Sequence, residues 1–115
     1  MILVVDDEPA VAEVIGLMLE DEGHSVTTAY DGEAALAILR RGPSPCLLFL
    51  DLMMPGMNGW ELRQAMLAEP ALADIPVVVV SAFVAGDMTE LRPTEVIRKP
   101  FQLEQIVELA ARHCA

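Results

Sequence analysis

Four places in the chain put a reactive or charged side chain directly after an apolar run. Asp6, Asp7 and Glu8 follow Ile2 to Val5, and Asp51 follows Cys46 to Leu50. Ser81 follows Pro76 to Val80, and Lys99 with Pro100 follows Thr94 to Arg98. In an open parallel sheet, ligands bind beyond the carboxyl ends of the strands, where the winding reverses. If the first and third strands are neighbours, about 4.8 Å apart, Asp6 or Asp7 converges with Asp51 on one small site. Clustered carboxylates repel, so such a cluster is most economically read as a seat for a hard, oxygen-seeking cation such as Mg2+. Lys99 would add one positive charge opposite them, and Ser81 a hydroxyl donor. Together these suit a phosphoryl group: a carboxylate is a nucleophile toward phosphorus, while a metal and a lysine stabilise charge on the transferring oxygens.

Each piece alone has an ordinary explanation. Asp6 and Asp7 could form a solvated turn before a helix opened by Pro9, Ser81 could cap a strand end, and Lys99 could be a surface lysine before a turn. Asp51 after an apolar strand would also suit a nucleotide hydrolase, yet no GxxxxGK[ST] loop is present. GxGxxG is missing too, which removes the main support for dinucleotide binding. The joint arrangement carries the reading.

The elements that must position these residues alternate. Ile2 to Val5, Ser25 to Tyr30, Cys46 to Leu50, Pro76 to Val80 and Thr94 to Arg98 read as strands. The first, third and fourth are continuously hydrophobic, as strands covered on both faces must be, whereas Ser25 to Tyr30 alternates and belongs at an edge. Val11, Val14, Ile15, Met18 and Leu19 predict one face of a helix opened by Pro9 and ended near Gly23. Asp31 is placed to cap a second helix, with Ala35, Ile38 and Leu39 inward and Gly42 as its stop. A third runs from about Gly59 to Glu69, with Leu62 and Met66 inward, closed by Pro70; the last carries Leu103, Ile106, Val107 and Ala110. Strands alternating with helices predict a doubly wound α/β domain with a parallel sheet and helices on both faces. Between the fourth and fifth strands, Gly86 and Pro93 both weaken a helix, so one or two turns or an irregular loop is expected there.

At 115 residues the chain is expected to be one domain, 1–115. Hydrophobic content of 54% against 22% charged residues excludes a disordered chain. A net charge of −11 would repel nucleic-acid phosphates and anionic lipid, so no binding to nucleic acid or membrane is expected. No apolar run reaches the roughly 20 residues that span a bilayer, and the N-terminus lacks a basic start and cleavage site, which predicts a cytoplasmic protein. Cys46 and Cys114 have no CxxC spacing or neighbouring His pair and read as two free thiols.

With these residues in place, the chain closely resembles the receiver domain of bacterial response regulators over essentially its whole length. The resemblance rests on Ile2-Leu3-Val4-Val5-Asp6-Asp7-Glu8, Leu50-Asp51-Leu52-Met53-Met54-Pro55-Gly56-Met57-Asn58-Gly59, Ser81-Ala82 and Lys99-Pro100-Phe101, in order and in register. It implies a five-stranded sheet in the order 2-1-3-4-5, with Asp51 as phosphoacceptor. It further implies that Asp6, Asp7, Asp51 and the Met53 backbone carbonyl bind Mg2+, and that Ser81 and Lys99 contact the phosphoryl group. The bond from Lys99 to Pro100 becomes a candidate cis peptide. The implied partner is a histidine kinase or histidine phosphotransfer protein, for a monomer or weak dimer acting as a stand-alone two-component regulator. Its only chemistry would be autocatalytic phosphoryl transfer and autodephosphorylation.

Two departures from the family pattern affect the output. Val96 stands three residues before the lysine, where the family usually has Tyr or Phe that swings inward on phosphorylation, and the fourth helical segment is short. Phosphorylation would then be read through another surface, or through ordering of the loop near Phe83; Met53 and Phe83 would hinder water at the phosphoryl site. The alternative is a degenerate receiver that is never phosphorylated and serves as a constitutive interaction module. A covalent phosphatase or phosphotransferase of the haloacid type is disfavoured, because Met53 stands where the second Asp of its DxD would be.

Overall fold

The structure, a computed structural model, describes residues 1–82 and 88–114. Five parallel strands, β1 (Ile2–Val5), β2 (Val26–Ala29), β3 (Leu47–Leu50), β4 (Val77–Ser81) and β5 (Glu95–Arg98), form one sheet in the order β2-β1-β3-β4-β5. The helices between and after them are α1 (Pro9–Asp21), α2 (Gly32–Arg41), α3 (Gly59–Ala68), α4 (Pro70–Ala73) and α5 (Leu103–His113). This is the doubly wound α/β arrangement, with the expected strand order.

Strand alternation explains why β1 and β3 are hydrophobic throughout. Leu3, Val5, Leu48 and Leu50 face a core shared with Ala35, Leu39, Leu62, Met66 and Leu72 of α2, α3 and α4. Ile2, Val4, Leu47 and Phe49 face the opposite core, shared with Ala12, Ile15 and Leu19 of α1 and Ile106, Leu109 and Ala110 of α5. Each of these Val, Leu, Ile, Met and Phe side chains contributes about 1.5–3 kcal/mol by leaving water. β2 lies at the sheet edge, and its Val26, Thr27 and Thr28 are only half-buried.

Two inward faces differ from the sequence reading by one helical step. On α1 the buried stripe is Ala12, Ile15, Gly16 and Leu19, which turns Val14 outward to 49% exposure. On α5 Leu109 completes the stripe with Ile106 and Ala110, and Leu103 is 43% exposed. Both helices are rich enough in aliphatic residues that two neighbouring stripes look alike, and packing against the sheet selects the i, i+3, i+4 set that includes the small residues.

The helix boundaries follow from local chemistry. The Asp31 carboxylate accepts the Ala34 N–H at 2.7 Å and opens α2, while Gly42 ends it at φ 72°, a left-handed angle that glycine adopts without strain. Asn58 and Glu61 form a reciprocal capping box at the start of α3. Pro70 follows the end of α3 and opens α4, a single turn. Between β4 and β5 the described residues contain one 3-10 turn, Thr89–Leu91, ended by Arg92 at φ 49°. The expectations for Phe83 fall on residues 83–87, outside the described ones.

The two cysteines are not free. Cys46, just before β3, and Cys114, just after α5, form a disulfide with Cα atoms 5.6 Å apart. They are 68 residues apart, and only the return of α5 alongside β3 brings them together, so local spacing gave no sign of the pair. The Lys99–Pro100 bond is cis, as the resemblance implied, and so is Gly42–Pro43.

Candidate functional site

The ladder itself aligns the acidic residues. Val5 lies opposite Ala29 of β2 and Leu50 of β3, and both pairings continue one step: Asp6 N–H donates to Ala29 O at 3.1 Å and Asp51 N–H to Val5 O at 2.9 Å. Asp6 and Asp51 therefore leave adjacent strands at the same edge, both buried. On the other side of β3, Ser81 ends β4 opposite Arg98, and Lys99 N–H donates to Ser81 O at 3.0 Å. Ser81 is fully buried.

Lys99 closes the set. Its Nζ lies 2.8 Å from Asp6 Oδ2, 3.3 Å from Asp51 Oδ2 and 3.9 Å from Glu8 Oε1. Each buried acid gives its other oxygen to a backbone donor two residues on, Asp6 Oδ1 to Glu8 N–H at 2.9 Å and Asp51 Oδ1 to Met53 N–H at 3.2 Å. Both carboxylates are thus held at two points, with one edge toward the lysine. Burial pushes the Asp6 carboxyl above its usual range, and the hydrogen bonds from Lys99 and Glu8 offset this only in part. Burial pulls the Lys99 ammonium down, but its bonds to Asp6 and the charge of Asp51 outweigh it and leave it raised.

Three carboxylates within 4 Å of one ammonium leave a surplus of negative charge. Among the described residues, Asp6, Asp7 and Glu8 form the group whose ligand oxygens lie within 4.8 Å of one another. All donors are hard oxygens, and this fits Mg2+. The grouping brings in Glu8 beside Asp6 and Asp7, while Asp51 is held by Lys99. Glu8 was readable only as the third acid of a run; its proximity to Lys99 depends on the sheet order, in which β3 and β4 lie between β1 and β5. Met53 is 56% exposed.

The loop after Asp51 is pressed against α3. Gly59 N–H donates to Leu52 O at 3.0 Å, and a Cβ on Gly59 would strike the Asp51 carbonyl oxygen. Leu52 passes from there into a small cluster with Val79, Met88 and Leu91, against which Trp60 and Val96 pack. Val96 is half-buried on β5, with no ring to swing. Beneath it, Arg63 of α3 is buried and donates from Nε to Leu91 O at 2.7 Å and from Nη2 to Arg92 O at 3.2 Å. Nothing in the sequence singled out Arg63, which reads there as a solvated helix position.

An acid pair bridged by a strand-end lysine on a 2-1-3-4-5 parallel sheet defines the receiver class, and the family comparison agrees. The pattern of the response regulator receiver domain matches residues 2–111, and the chain belongs to that family. It is 37% identical over 114 residues to the probable transcriptional regulatory protein TcrX of Mycobacterium tuberculosis, covering 92% of this chain and 46% of that protein. It thus spans about half the length of that relative. A 14.6 kDa uncharacterised protein of Leptolyngbya boryana is 33% identical over 117 residues, with 98% of this chain and 88% of that one covered. In structure the chain is similar to the response regulator TrrA of Thermotoga maritima, solved in complex with Mg(2+)-BeF, at a TM-score of 0.84 and 30% identity, covering 96% of each chain. Receivers are the phosphorelay switches of two-component systems, work with histidine kinases or phosphotransfer proteins, and bind Mg2+ at an acidic pocket. Among the described residues no helix is long and apolar enough to cross a membrane.

Proposed function

We propose that residues 1–115 act as one receiver domain in which Asp51 accepts a phosphoryl group from a phosphohistidine of a kinase or phosphotransfer protein. The observation that carries this is the position of Lys99 Nζ, 2.8 Å from Asp6 and 3.3 Å from Asp51 at the carboxyl edge of the sheet. An oxygen of Asp51 attacks phosphorus, the O–P bond forms as the N–P bond of the donor breaks, and the histidine nitrogen leaves with the electron pair. The backbone N–H of Met53 keeps the Asp51 carboxylate oriented. Lys99 stands where negative charge gathers on the transferred oxygens, and Ser81, at the end of β4, is the hydroxyl nearest in the sheet order. Asp6 and Asp7 would hold Mg2+, together with Asp51 and the Met53 backbone carbonyl. When bound, Mg2+ would neutralise charge on the transferring oxygens.

The domain is a switch with no separate substrate: its chemistry is limited to its own phosphorylation and dephosphorylation. The net charge of −11 disfavours binding to nucleic acid or an anionic membrane, and the same reading takes the domain as a cytoplasmic monomer or weak dimer. The output is read away from an aromatic swing on β5, through the Leu52–Leu91 cluster that joins the Asp51 loop to the segment before β5. Beryllofluoride with Mg2+, followed by NMR, tests the site: shift changes at Asp6, Asp51 and Lys99 that require Mg2+ and vanish in Asp51→Asn are expected. Unchanged spectra would overturn it.

A further inference from the structure

The chain has two cysteines and two histidines, and all four line one surface cleft of about 480 Å³. They come from three places. His24 lies in the turn between α1 and β2, Cys46 just before β3, and His113 and Cys114 at the end of α5. The cleft opens at the amino edge of the sheet, beside the starts of β1, β2 and β3, at the opposite end from Asp51. All four residues are partly exposed, so a reductant reaches the disulfide.

We propose that the Cys46–Cys114 disulfide is the closed form of a thiol site that, once reduced, binds a borderline divalent cation, zinc above all, through Cys46, Cys114, His24 and His113. A small dithiol supplies two electrons and two protons: the S–S bond breaks, two thiols form, and the reductant becomes a disulfide. Metal binding then releases one proton from each thiol. Two thiolates and two neutral imidazoles match the charge of a dication and form the Cys2His2 set that zinc prefers.

While the disulfide is closed, no three of these four residues hold their ligand atoms within 4.8 Å of one another, so the site forms only when the imidazoles turn toward the freed sulfurs. Tetrahedral zinc holds thiolates at about 2.3 Å, which sets the sulfurs about 3.8 Å apart. Cα atoms 5.6 Å apart permit that by side-chain rotation. His113 and Cys114 stand where the internal hydrogen bonds of α5 end, so these two ligands adjust most easily. While the sulfurs are bonded to each other they offer no thiolate, so binding follows the redox state. The site also differs in kind from the acidic one: Asp6, Asp7 and Glu8 offer hard oxygens suited to Mg2+, and the cleft offers sulfur and imidazole. Reduction with metal would replace a covalent tie between β3 and α5 by a coordinate one.

Titration of untagged protein with Co2+, followed by visible absorption, tests the site. Reduced protein is expected to bind one Co2+ per chain, with thiolate-to-cobalt charge transfer and tetrahedral bands that Zn2+ abolishes and excess Mg2+ does not; oxidised protein should show none. His24→Ala and His113→Ala, which keep both thiols, should each weaken Co2+ binding about ten-fold or more while the circular dichroism spectrum is unchanged. Absence of the thiolate band in reduced protein, or undiminished affinity in either histidine variant, would overturn the four-ligand site. An intact fold in reduced protein by circular dichroism accompanies every titration.

Discussion

Gly59 lies against the backbone of Asp51 so closely that a Cβ would strike the Asp51 carbonyl oxygen and the Leu52 Cα. The start of α3 therefore sets the path of the loop that follows the acceptor. Because the obstructing atoms are backbone, they have no rotamer by which to give way. Gly59→Ala is expected to cost about 1–3 kcal/mol, the usual range for overpacking, and to slow phosphorylation of Asp51. Urea denaturation and the phosphorylation rate check both, and a variant of wild-type stability would show that the loop has slack.

The surplus of carboxylates predicts a metal-linked stability. Mg2+ at one hundred times its Kd should stabilise the fold by about 2.7 kcal/mol. Melting temperature should rise through millimolar Mg2+ in wild type and rise less in Asp7→Asn. A Tm indifferent to Mg2+ would count against the metal site.

The disulfide closes a long loop, with its ends 68 residues apart. The chain-entropy argument assigns such a cross-link about 4 kcal/mol. Reduced, metal-free protein should unfold at lower urea than oxidised protein by roughly that free energy. Equal midpoints in the two states would contradict it.

Arg63 ties α3 to the turn before β5 with two hydrogen bonds from one buried guanidinium, leaving Nη1 unpaired. Burial and the nearby Arg92 lower its pKa. Both acceptors are neutral backbone carbonyls, so the fork geometry, not charge pairing, makes the tie. Arg63→Lys is expected to lose about 2 kcal/mol, because an ammonium does not reproduce the fork to the Leu91 and Arg92 carbonyls. Thermal unfolding of this variant, with Arg63→Ala beside it, measures the loss. Lysine performing as well as arginine would show that charge alone suffices.

Much of this was legible in the sequence because parallel sheets place strand ends along one edge. Asp6, Asp51, Ser81 and Lys99 could be marked as candidates from the apolar runs before them, and the structure brings Asp6, Asp51 and Lys99 into contact. The Asp31 cap of α2 was also readable, as a local pattern. Relations between distant segments were not. The disulfide depends on the start of β3 meeting the end of α5, and Glu8 reaches Lys99 only through the strand order. Val14 and Leu103 share helical spacing with the buried residues of α1 and α5, yet both are exposed, because an aliphatic-rich helix offers two adjacent stripes and only the sheet decides between them.

Asp51 as phosphoacceptor is tested most directly by intact-mass analysis after incubation with acetyl phosphate, with and without Mg2+, for wild type and Asp51→Asn. Wild type is expected to gain one phosphoryl group, dependent on Mg2+ and mapped to Asp51, and Asp51→Asn none. Modification that persists in Asp51→Asn, or wild type that stays unmodified with Mg2+ present, would contradict it.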